Sequence, residues 1–368
     1  EVFDPYRARQ TEVGLKYDSN GLGGSLSAFT TSRPRSYVED GVFSTFGEQE
    51  NRGIELTFFG ALRENLRVLG GVTLLEAELA DIILVGETEA VKMALADHGA
   101  EASDHLTIHD PATSPLTEQF AETFHVLRKH KGVDLQAAKA AVQSPLIYAA
   151  MLVRTGHAAG TVGGAVATTS DIVRTAIQVI GKAPDAAMIS SFFLMYPPEN
   201  AGPDARAMLY SDSGLVIDPS AHELAEIAAA SARSCRALMR EDPKIAFLSF
   251  STKGSAHHEK VTKITDAVVK FQTDNPDLHA DGELQFDAAF VPAVGQKKAP
   301  DSDIAGQANV MIFPNLDAGN IGYKLLQRLG GAAAIGPMLV GMDKPVHVLQ
   351  RGDEVKDIVN LAGVAVVD

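Results

Sequence analysis

The sequence contains a single cysteine, Cys235, in 368 residues, and this excludes an intramolecular disulfide as well as any metal site built from several cysteines. The chain lacks an apolar stretch long enough to span a bilayer as a helix. It also has no excess of basic residues, because 32 Lys and Arg stand against 47 Asp and Glu and give a net charge of −15. This charge argues against a broad nucleic-acid-binding surface, although it leaves room for a local basic pocket that binds a phosphorylated ligand.

The chain begins without a methionine and shows no signal peptide, so we expect a processed or truncated product. One cysteine fits a reducing compartment, and we expect a cytoplasmic protein. The composition, 45% hydrophobic and 21% charged, is that of a globular protein, and the length is sufficient for two or three domains.

The first 80 residues alternate apolar and polar side chains, which is typical of strands with one solvated face. Turn residues such as Asn20-Gly21 and Ser32-Arg33-Pro34 separate the alternating stretches. We therefore predict four antiparallel strands in two hairpins. The predicted strands are Glu12–Ser19, Gly24–Ser32, Asn51–Gly60 and Leu66–Leu79.

The pattern changes near residue 80, where we place a domain boundary. Ile82–Val85 is a continuous apolar run followed by Gly86, which is typical of a strand buried on both faces of a parallel sheet. Beyond it, strands alternate with Ala-rich helices such as Ala221–Met239. This alternation predicts an α/β fold, with Cys235 in the core.

Three segments of the α/β region are typical of a site for an anionic substrate. Leu127–Gly132 gathers basic residues near a helix end, Gly160–Arg174 is a small-residue loop that runs into a helix, and Val348–Asp357 sets an arginine beside a glycine turn. Backbone N–H groups of such a loop, at a helix N-terminus, can hold phosphate oxygens. The side chains concerned are Arg128, Lys129, Lys131, Thr168, Thr169, Ser170, Arg174, Arg351 and Asp357.

Each segment also has a plainer interpretation, namely a solvated helix end, a tight turn and a surface ion pair of little energetic weight. The spacing alone therefore predicts only an α/β protein that binds a phosphorylated small molecule. Several histidines are of a residue type that binds metals, but we expect them on the surface or in loops and predict no metal site. These are His257 and His258 beside Glu259, and His98, His105 and His109.

A longer series of motifs carries a family resemblance. The motifs are LRKHKG (127–132), GTVGGAVATTSDIVRTAIQVIGKAP (160–184), SSFFLM (190–195), AEIAAASA (225–232), FLSFSTKGS (247–255), DGELQFDAAF (281–290), FPNLDAGNIGYKLLQR (313–328), AIGPMLVGM (334–342) and RGDEVKDIV (351–359). Through them, residues 81–368 resemble the phosphate acetyltransferase family nearly without gaps. The resemblance implies transfer of an acetyl group between coenzyme A and phosphate, with coenzyme A as a substrate and no further cofactor.

The same resemblance implies an architecture. The fold would be a doubly wound α/β fold of two domains with the active site in the cleft between them, and it would lack its first strand–helix unit. The first domain would comprise residues 81–184 and 340–368, and the second would comprise residues 185–339. The partners would be small-molecule substrates and further copies of the chain, in a homodimer or a larger homo-oligomer, rather than nucleic acid or a membrane.

Individual residues receive roles from the resemblance. Asp357 would be the general base for the coenzyme A thiol, which is mostly protonated at neutral pH and attacks as the thiolate. The thiolate would attack acetyl phosphate directly in a ternary complex, while Arg128, Arg174 and Arg351 would hold the phosphoryl group and spread the developing charge. Further substrate-binding positions would be Thr168 and Thr169 in the loop and Asn320, Tyr323 and Lys324 in the motif DAGNIGYK.

One departure from the family keeps an alternative open. The family has a serine where this chain has Gln350, and that hydroxyl would help to stabilise the transition state. Gln350 offers an amide donor of different length, and loss of one oxyanion donor costs about 10²–10³-fold in rate. The adjacent KPVHVL (344–349) resembles the C-terminal domain of large malic enzymes, which binds acetyl-CoA as a regulator. The alternative function is therefore a non-catalytic acetyl-CoA-binding module.

A second departure concerns residues 1–80, which stand where the family has its first strand and helix. YRARQTEVGLK (6–16), GEQENRGIEL (47–56) and LGGVTLLEAEL (69–79) resemble late barrel strands of TonB-dependent siderophore receptors. Four strands are too few to close a membrane barrel. We therefore expect an unrelated segment joined to the α/β region. A fragment of a siderophore receptor is the third interpretation of the chain's function.

Overall fold

The computed structural model describes residues 9–19, 22–39, 42–63 and 66–77 as strands, and residues 81–103, 105–164, 167–198, 201–349 and 361 in detail. Contacts divide the chain into two compact units. The N-terminal unit comprises Glu1–Ile82 and Ala102–Thr107, and the large unit comprises Ile83–Glu101 and Ile108–Asp368.

The N-terminal unit contains an antiparallel sheet, as the alternating pattern predicts. Its strands are β1 (Arg9–Ser19), β2 (Leu22–Glu39), β3 (Val42–Arg63) and β4 (Leu66–Ala77), and they pair in the order in which they occur in the chain. They form one continuous meander rather than two hairpins, because β2 pairs with β3 from Leu22 to Glu39.

The turn predicted at Ser32-Arg33-Pro34 is wrong, since β2 continues through these residues and its register with β3 shifts only between Pro34 and Ser36. β1 pairs with β2 as far as Ser32, within the described residues. Pro34 thus lies where β2 has a single described neighbour, and proline is tolerated on such an edge because its missing N–H leaves no partner unpaired.

The large unit and the residues that lead into it alternate strands and helices. The strands are β5 (Ile82–Val85), β6 (Leu106–His109), β7 (Thr161–Gly163), β8 (Ser190–Tyr196), β9 (Met208–Ser211), β10 (Lys244–Leu248), β11 (His279–Leu284), β12 (Val310–Ile312), β13 (Ala333–Val340) and β14 (Val346–Val348). The helices are α1 (Thr88–Asp97), α2 (Thr117–Arg128), α3 (Leu135–Ala141), α4 (Pro145–Arg154), α5 (Thr169–Val179), α6 (Ala221–Ser234), α7 (Glu259–Asp274), α8 (Phe286–Phe290), α9 (Pro292–Lys298) and α10 (Leu316–Gly330). None of the described helices combines the length and apolar character needed to cross a membrane.

Eight strands form the main sheet, in the order β11-β10-β12-β9-β8-β13-β14-β7. Strands β9 to β12 are mutually parallel, β8 and β13 are antiparallel to their neighbours, and β14 pairs in parallel with β7. Successive residues of β8 enter two different cores: Phe192 packs with α6 and α7, whereas Phe193 packs with α8 and α10. Helices therefore cover both faces of the sheet, as expected for a doubly wound α/β fold.

The strand predicted at Ile82–Val85 is present, but its predicted burial on both faces is wrong. Ile82 is 48% exposed, and the remaining residues of β5 are half-buried. In the described part of the chain β5 pairs with β6 alone, in a separate two-stranded sheet. A strand is buried on both faces only when neighbouring strands and helices enclose it, and a continuous apolar run does not supply those neighbours by itself.

The Ala-rich helix occurs where the sequence predicts it. Ser220 and Glu223 form a capping box at the start of α6, which satisfies backbone N–H groups that the helix cannot pair internally. The helix continues after Ser234 as a π-helical turn over Cys235–Met239. Cys235 is fully buried among apolar residues, as predicted, and burial raises the pKa of its thiol to about 12.

Candidate active site

Strands β7 and β14 bring together two segments that the sequence predicts for the site. The strands pair in parallel, Thr161 with Val346 and Val348 with Gly163, and the N–H of Leu349 donates to the Gly163 carbonyl at 2.7 Å. Because parallel strands end at the same edge of a sheet, the loop after β7 starts beside the segment after β14. That second segment opens with Gln350 and Arg351 and continues to Asp357, and these three residues lie outside the described part of the chain.

Gly164 makes this junction sterically possible. Its φ of +128° is a backbone conformation that L side chains rarely adopt. A Cβ at this position would lie 2.4 Å from the carbonyl oxygen of Leu349. Glycine is therefore required for the loop to pass so close to the end of β14.

Thr168 and Thr169 stand at the N-terminus of α5, as the loop-to-helix prediction requires. Thr168 caps the helix: its Oγ1 accepts from the Asp171 N–H at 3.1 Å and donates to the Asp171 carboxylate at 2.7 Å. Thr169 is the first helical residue and is half-buried. The helix N-terminus itself carries partial positive charge, which favours an anion nearby.

Arg174 lies on the exposed side of α5 and has a partner on its own helix. Its Nη1 donates to the Asp171 carboxylate at 2.9 Å. The Thr168 hydroxyl, and after it the charge of Arg174, lower the pKa of Asp171. Because both side chains of this ion pair are largely exposed, the pair is weakly held and Arg174 can exchange Asp171 for another anion at little cost.

Arg128 is the last residue of α2, followed by a 3₁₀ turn over Lys129–Lys131 and by Gly132 in the left-handed conformation. The motif LRKHKG therefore lies at a helix end, as predicted. On the buried side of α2, Phe120 and Phe124 enter the same core as Ile172 of α5. The helices that carry Arg128 and Arg174 thus pack in one core, while both arginines remain at least partly accessible to solvent.

The three predicted positions in DAGNIGYK differ in their surroundings. Tyr323 is 1% exposed and stacks on Phe193, with ring centroids 4.0 Å apart. Its ring is thus part of the core in this structure, so the expectation that it lines a cleft is not supported by its position. Lys324 is exposed, with its Nζ 4.8 Å from the centre of the Tyr323 ring. The half-buried Asn320 donates from Nδ2 to the Ser213 carbonyl at 3.2 Å.

The turn that holds Asn320 depends on a residue that sequence reasoning missed. Asp212 is 2% exposed and follows directly after β9. Its carboxylate accepts from Ser191 N–H and hydroxyl at 2.8 and 2.6 Å, and from the N–H groups of Gly214 and Leu215, both at 2.8 Å. Burial raises its pKa against these hydrogen bonds, which lower it. An acidic residue immediately after a short, mostly apolar strand was the available signal.

The motif FSTKGS is similarly organised by a buried carboxylate. Glu283 is 3% exposed and accepts from the Ser251 hydroxyl at 2.9 Å and from the Gly254 N–H at 2.7 Å. A cavity of about 270 Å³ lies against this loop, lined by residues that include His257, His258 and Glu283. The sequence did not single out Glu283, because its partners lie about thirty residues away in the chain.

Three of the histidines that are chemically suited to metals have other contacts. His258 is the N-cap of α7 and its Nδ1 accepts from the Lys260 N–H at 3.1 Å. His105 contacts Asp81 at 2.8 Å, and Nδ1 of His109 lies 3.3 Å from the Tyr148 hydroxyl. Among the residues described in detail, no group of three or more His, Cys, Asp or Glu side chains could hold a metal ion.

Comparison with known proteins places these features in context. A phosphate acetyltransferase from Paracoccus denitrificans is 48% identical over 255 residues, which cover 69% of this chain and 80% of that protein. A phosphate acetyltransferase from Clostridium acetobutylicum is 41% identical over 304 residues, covering 83% of this chain and 91% of that protein. A phosphotransacetylase structure from Streptococcus pyogenes superposes with a TM-score of 0.70 at 43% identity, covering 77% of this chain and 84% of that one.

The family model for phosphate acetyl/butaryl transferases matches residues 64–366, a range that contains every site residue predicted above. The match begins before the boundary that we predicted near residue 80, and it includes β4, whereas contacts assign β4 to the N-terminal unit. Since the match covers most of the chain, and two relatives share more than 40% identity with it over at least 80% of their own length, the chain belongs to the phosphate acetyl/butaryl transferase family.

Proposed function

We propose that this chain is a phosphate acetyltransferase, which moves an acetyl group reversibly between acetyl phosphate and coenzyme A, with coenzyme A as a substrate and no separate cofactor. The observation that carries the proposal is the parallel pairing of β7 with β14. It brings the start of the Gly/Thr loop beside Leu349, after which the chain continues to Gln350, Arg351 and Asp357. This supports the proposal that a phosphate-binding helix end and a general base act together in one site.

In this reaction the coenzyme A thiol gives its proton to the Asp357 carboxylate. The sulfur then forms a bond to the carbonyl carbon of acetyl phosphate, and the bond between that carbon and the phosphate oxygen breaks. Phosphate leaves with the electron pair. The step is direct, in a ternary complex, and needs no acyl-enzyme.

The cationic groups stabilise the charge that develops on phosphate and on the carbonyl oxygen. Arg351 and Arg128 hold the phosphoryl group, and Arg174 turns from Asp171 toward it. Before substrate arrives, the weak pair with Asp171 leaves the Arg174 guanidinium close to the N-terminus of α5, where Asp171 also accepts from Thr168. The N-terminal N–H groups of α5, together with Thr168 and Thr169, complete the anion site, while Gln350 donates an amide N–H to the oxyanion. Asn320 and Lys324 bind the rest of the substrates.

The proposed architecture has two α/β domains, residues 81–184 with 340–368 and residues 185–339. Its support is the order of the main sheet, in which β14 pairs with β7, from the first proposed domain, on one side and with β13, at the end of the second, on the other. The proposed molecule is cytoplasmic and acts as a homodimer or larger homo-oligomer. The resemblance of residues 1–80 to receptor strands stays a prediction, and no transport function is proposed.

The decisive experiment is a thiol-consumption assay with coenzyme A and acetyl phosphate on the full chain. Turnover is expected, and Asp357→Asn should lower kcat while Arg174→Ala should mainly raise KM, because the first residue moves a proton and the second binds the phosphoryl group. Gln350→Ser should leave kcat unchanged or raise it. Arg233→Ala on α6 is the control and should behave as the unaltered chain does.

Acetyl-CoA binding measured by calorimetry separates the alternative. Binding without any turnover, unchanged in Gln350→Ser, would identify a regulatory acetyl-CoA-binding module instead of an enzyme. Full activity in Arg351→Ala would refute the proposed site, although the chain would still be an enzyme.

A further inference from the structure

One carboxylate at the start of α5 accepts hydrogen bonds from two side chains of the proposed anion site. Oδ2 of Asp171 accepts from the Thr168 hydroxyl at 2.7 Å, and Oδ1 accepts from Nη1 of Arg174 at 2.9 Å. Thr168 and Arg174 are two of the groups that the proposed function assigns to the phosphoryl group. The carboxylate therefore takes the positions that two phosphoryl oxygens would take.

The helix itself places Asp171 between these two donors. Asp171 is the third residue of α5, and its N–H donates to the Thr168 hydroxyl oxygen at 3.1 Å. Arg174 follows three residues later, so its side chain lies on the same side of the helix. The Thr168 hydroxyl, and after it the charge of Arg174, lower the pKa of Asp171. A full negative charge is therefore present at this helix end at neutral pH.

The contacts of Asp171 are weak enough to be exchanged. The side chains of Arg174 and Asp171 are 63% and 47% exposed, and an ion pair in water contributes little. A phosphoryl dianion offers more oxygens and twice the charge, so it can displace the carboxylate from both donors. Asp171 then stays within about one helical turn of the bound phosphate and repels it. Competition and repulsion both lower the affinity of the site for phosphate.

We propose that Asp171 competes with phosphate for Thr168 and Arg174 and thereby promotes the release of phosphate after acetyl transfer. In this exchange no covalent bond changes, because hydrogen bonds to phosphate are replaced by hydrogen bonds to the carboxylate. Asp171 acts through the two donors and is therefore a positioning residue. The inference rests on the proposed function, since it takes Thr168 and Arg174 as phosphate ligands, and it adds product release to that function.

The test is calorimetric titration of the full chain with inorganic phosphate at low ionic strength. Asp171→Asn removes the charge and keeps the size of the side chain, so it should lower the phosphate Kd about three- to tenfold. The inhibition constant of phosphate as a product should fall by the same factor. High salt should reduce the difference, because salt screens charges in water. A purely structural role of Asp171 predicts the opposite sign, because a damaged helix end would bind phosphate more weakly.

Three variants serve as controls. Asp171→Glu keeps a carboxylate at a position where glutamate also caps helices, so its phosphate Kd should stay within about twofold of the unaltered value. Asp274→Asn removes a carboxylate from the exposed pair with Lys270 on α7, and it should leave phosphate binding unchanged. Asp171→Ser replaces Asp171→Asn if circular dichroism shows that the latter does not fold, and it should also bind phosphate more tightly.

Unchanged or weaker phosphate binding in folded Asp171→Asn would overturn the inference, as would equal tightening in Asp274→Asn. Phosphate binding needs no turnover, so the two proposals fail separately. A chain that shows the expected pattern of phosphate binding without acetyl transfer would refute the proposed function alone. An active chain with the same phosphate Kd in Asp171→Asn would refute the role of Asp171 alone.

Discussion

Two buried carboxylates in the large unit accept hydrogen bonds from backbone N–H groups of neighbouring loops. Asp212 and Glu283 both lie directly beside loops that connect strands of the main sheet to the following helices. A buried carboxylate is costly unless hydrogen bonds replace its water. Asp212 has four such donors, which bind the turn at Gly214 and Leu215 to the start of β8. These residues therefore stabilise the loops after β9 and β10 by fixing their conformation.

His347 is a buried histidine whose charged form is disfavoured. It is fully buried in β14, and burial lowers its pKa to about 4. The unfolded chain binds this proton near pH 6.5, so between these two pKa values the unfolded state holds more protons and stability falls as pH falls. We expect a loss of about 3 kcal/mol in the free energy of unfolding between pH 7 and pH 4 from this residue. Urea unfolding at several pH values measures it.

The control for this prediction is His347→Gln, which removes the titrating ring. Its free energy of unfolding should be lower at pH 7, but it should decline less steeply below pH 6.5. The decline that remains includes a contribution from His109. Burial lowers the pKa of His109, and the charge of His157 lowers it further. His98→Gln, at an exposed position, should decline like the unaltered chain. An unchanged slope in His347→Gln would contradict the assignment.

At the scale of elements, the candidate site depends on two short strands. β7 and β14 have three residues each, yet they bring the start of the loop toward α5 beside Leu349, the residue after which the segment with the proposed base begins. Their hydrogen bonds alone would not hold so short a pair. The core formed by α2, α4 and α5 stabilises it, because Val346 and Val348 of β14 are buried against these helices. Activity should therefore be sensitive to packing where these strands end.

Gly164→Ala tests this dependence. The new Cβ would lie 2.4 Å from Leu349 O and would also force a residue with a side chain to adopt φ +128°. We expect the free energy of unfolding to fall by about 3 kcal/mol, since both strain and overlap act at one position. Because the junction must open, kcat should also fall at temperatures where the protein is still folded. Thermal unfolding and the thiol assay measure the two effects.

Gly156→Ala is the matched control, since Gly156 also has a positive φ of 78° but would meet nothing within 4 Å of a new Cβ. It should lose only about 1 kcal/mol and should keep its turnover. Equal behaviour of the two variants would show that the close approach to Leu349 does not matter.

At the scale of the whole molecule, segments distant in sequence are joined by a few polar side chains. Arg206 is the clearest case. Its guanidinium donates to the carbonyl groups of Ala308 and Phe290, both at 3.0 Å, and of Gly306 at 3.4 Å, and it lies over the Phe290 ring at 4.6 Å. It thereby ties the chain before β9 to residues 84–102 positions later.

Arg206→Ala should lower the free energy of unfolding by about 3 kcal/mol, because it leaves several partly buried carbonyl groups without a donor. Arg206→Lys keeps the charge but cannot reach all of these acceptors. We expect it to lower the free energy of unfolding by about 1–2 kcal/mol, less than Arg206→Ala does. Urea unfolding measures both. An equal loss of stability in the two variants would show that the planar guanidinium, and not the charge, is what matters. No loss of stability in either variant would refute the role of Arg206 in linking these segments.

The sequence by itself determined the local features of this protein. Interleaved polar residues specified the antiparallel strands of the N-terminal unit, and strand–helix alternation specified the α/β class. Gly160–Arg174 specified a loop that ends at a helix N-terminus, which the structure has at Thr168. Ordered motifs specified the family. Each of these depends on short-range periodicity, capping or residue order, all of which are present in the linear chain.

The tertiary structure alone decided which residues become neighbours. It placed Tyr323 in the core, paired Arg174 with Asp171 and surrounded Asp212 with donors. It also left β5 beside a single described strand, although its apolar run is typical of an enclosed one. A periodic pattern records how apolar a face is, but it does not record what covers that face. Neighbours are chosen by packing and hydrogen bonding between segments far apart in sequence, and these energies exist only once the chain is folded.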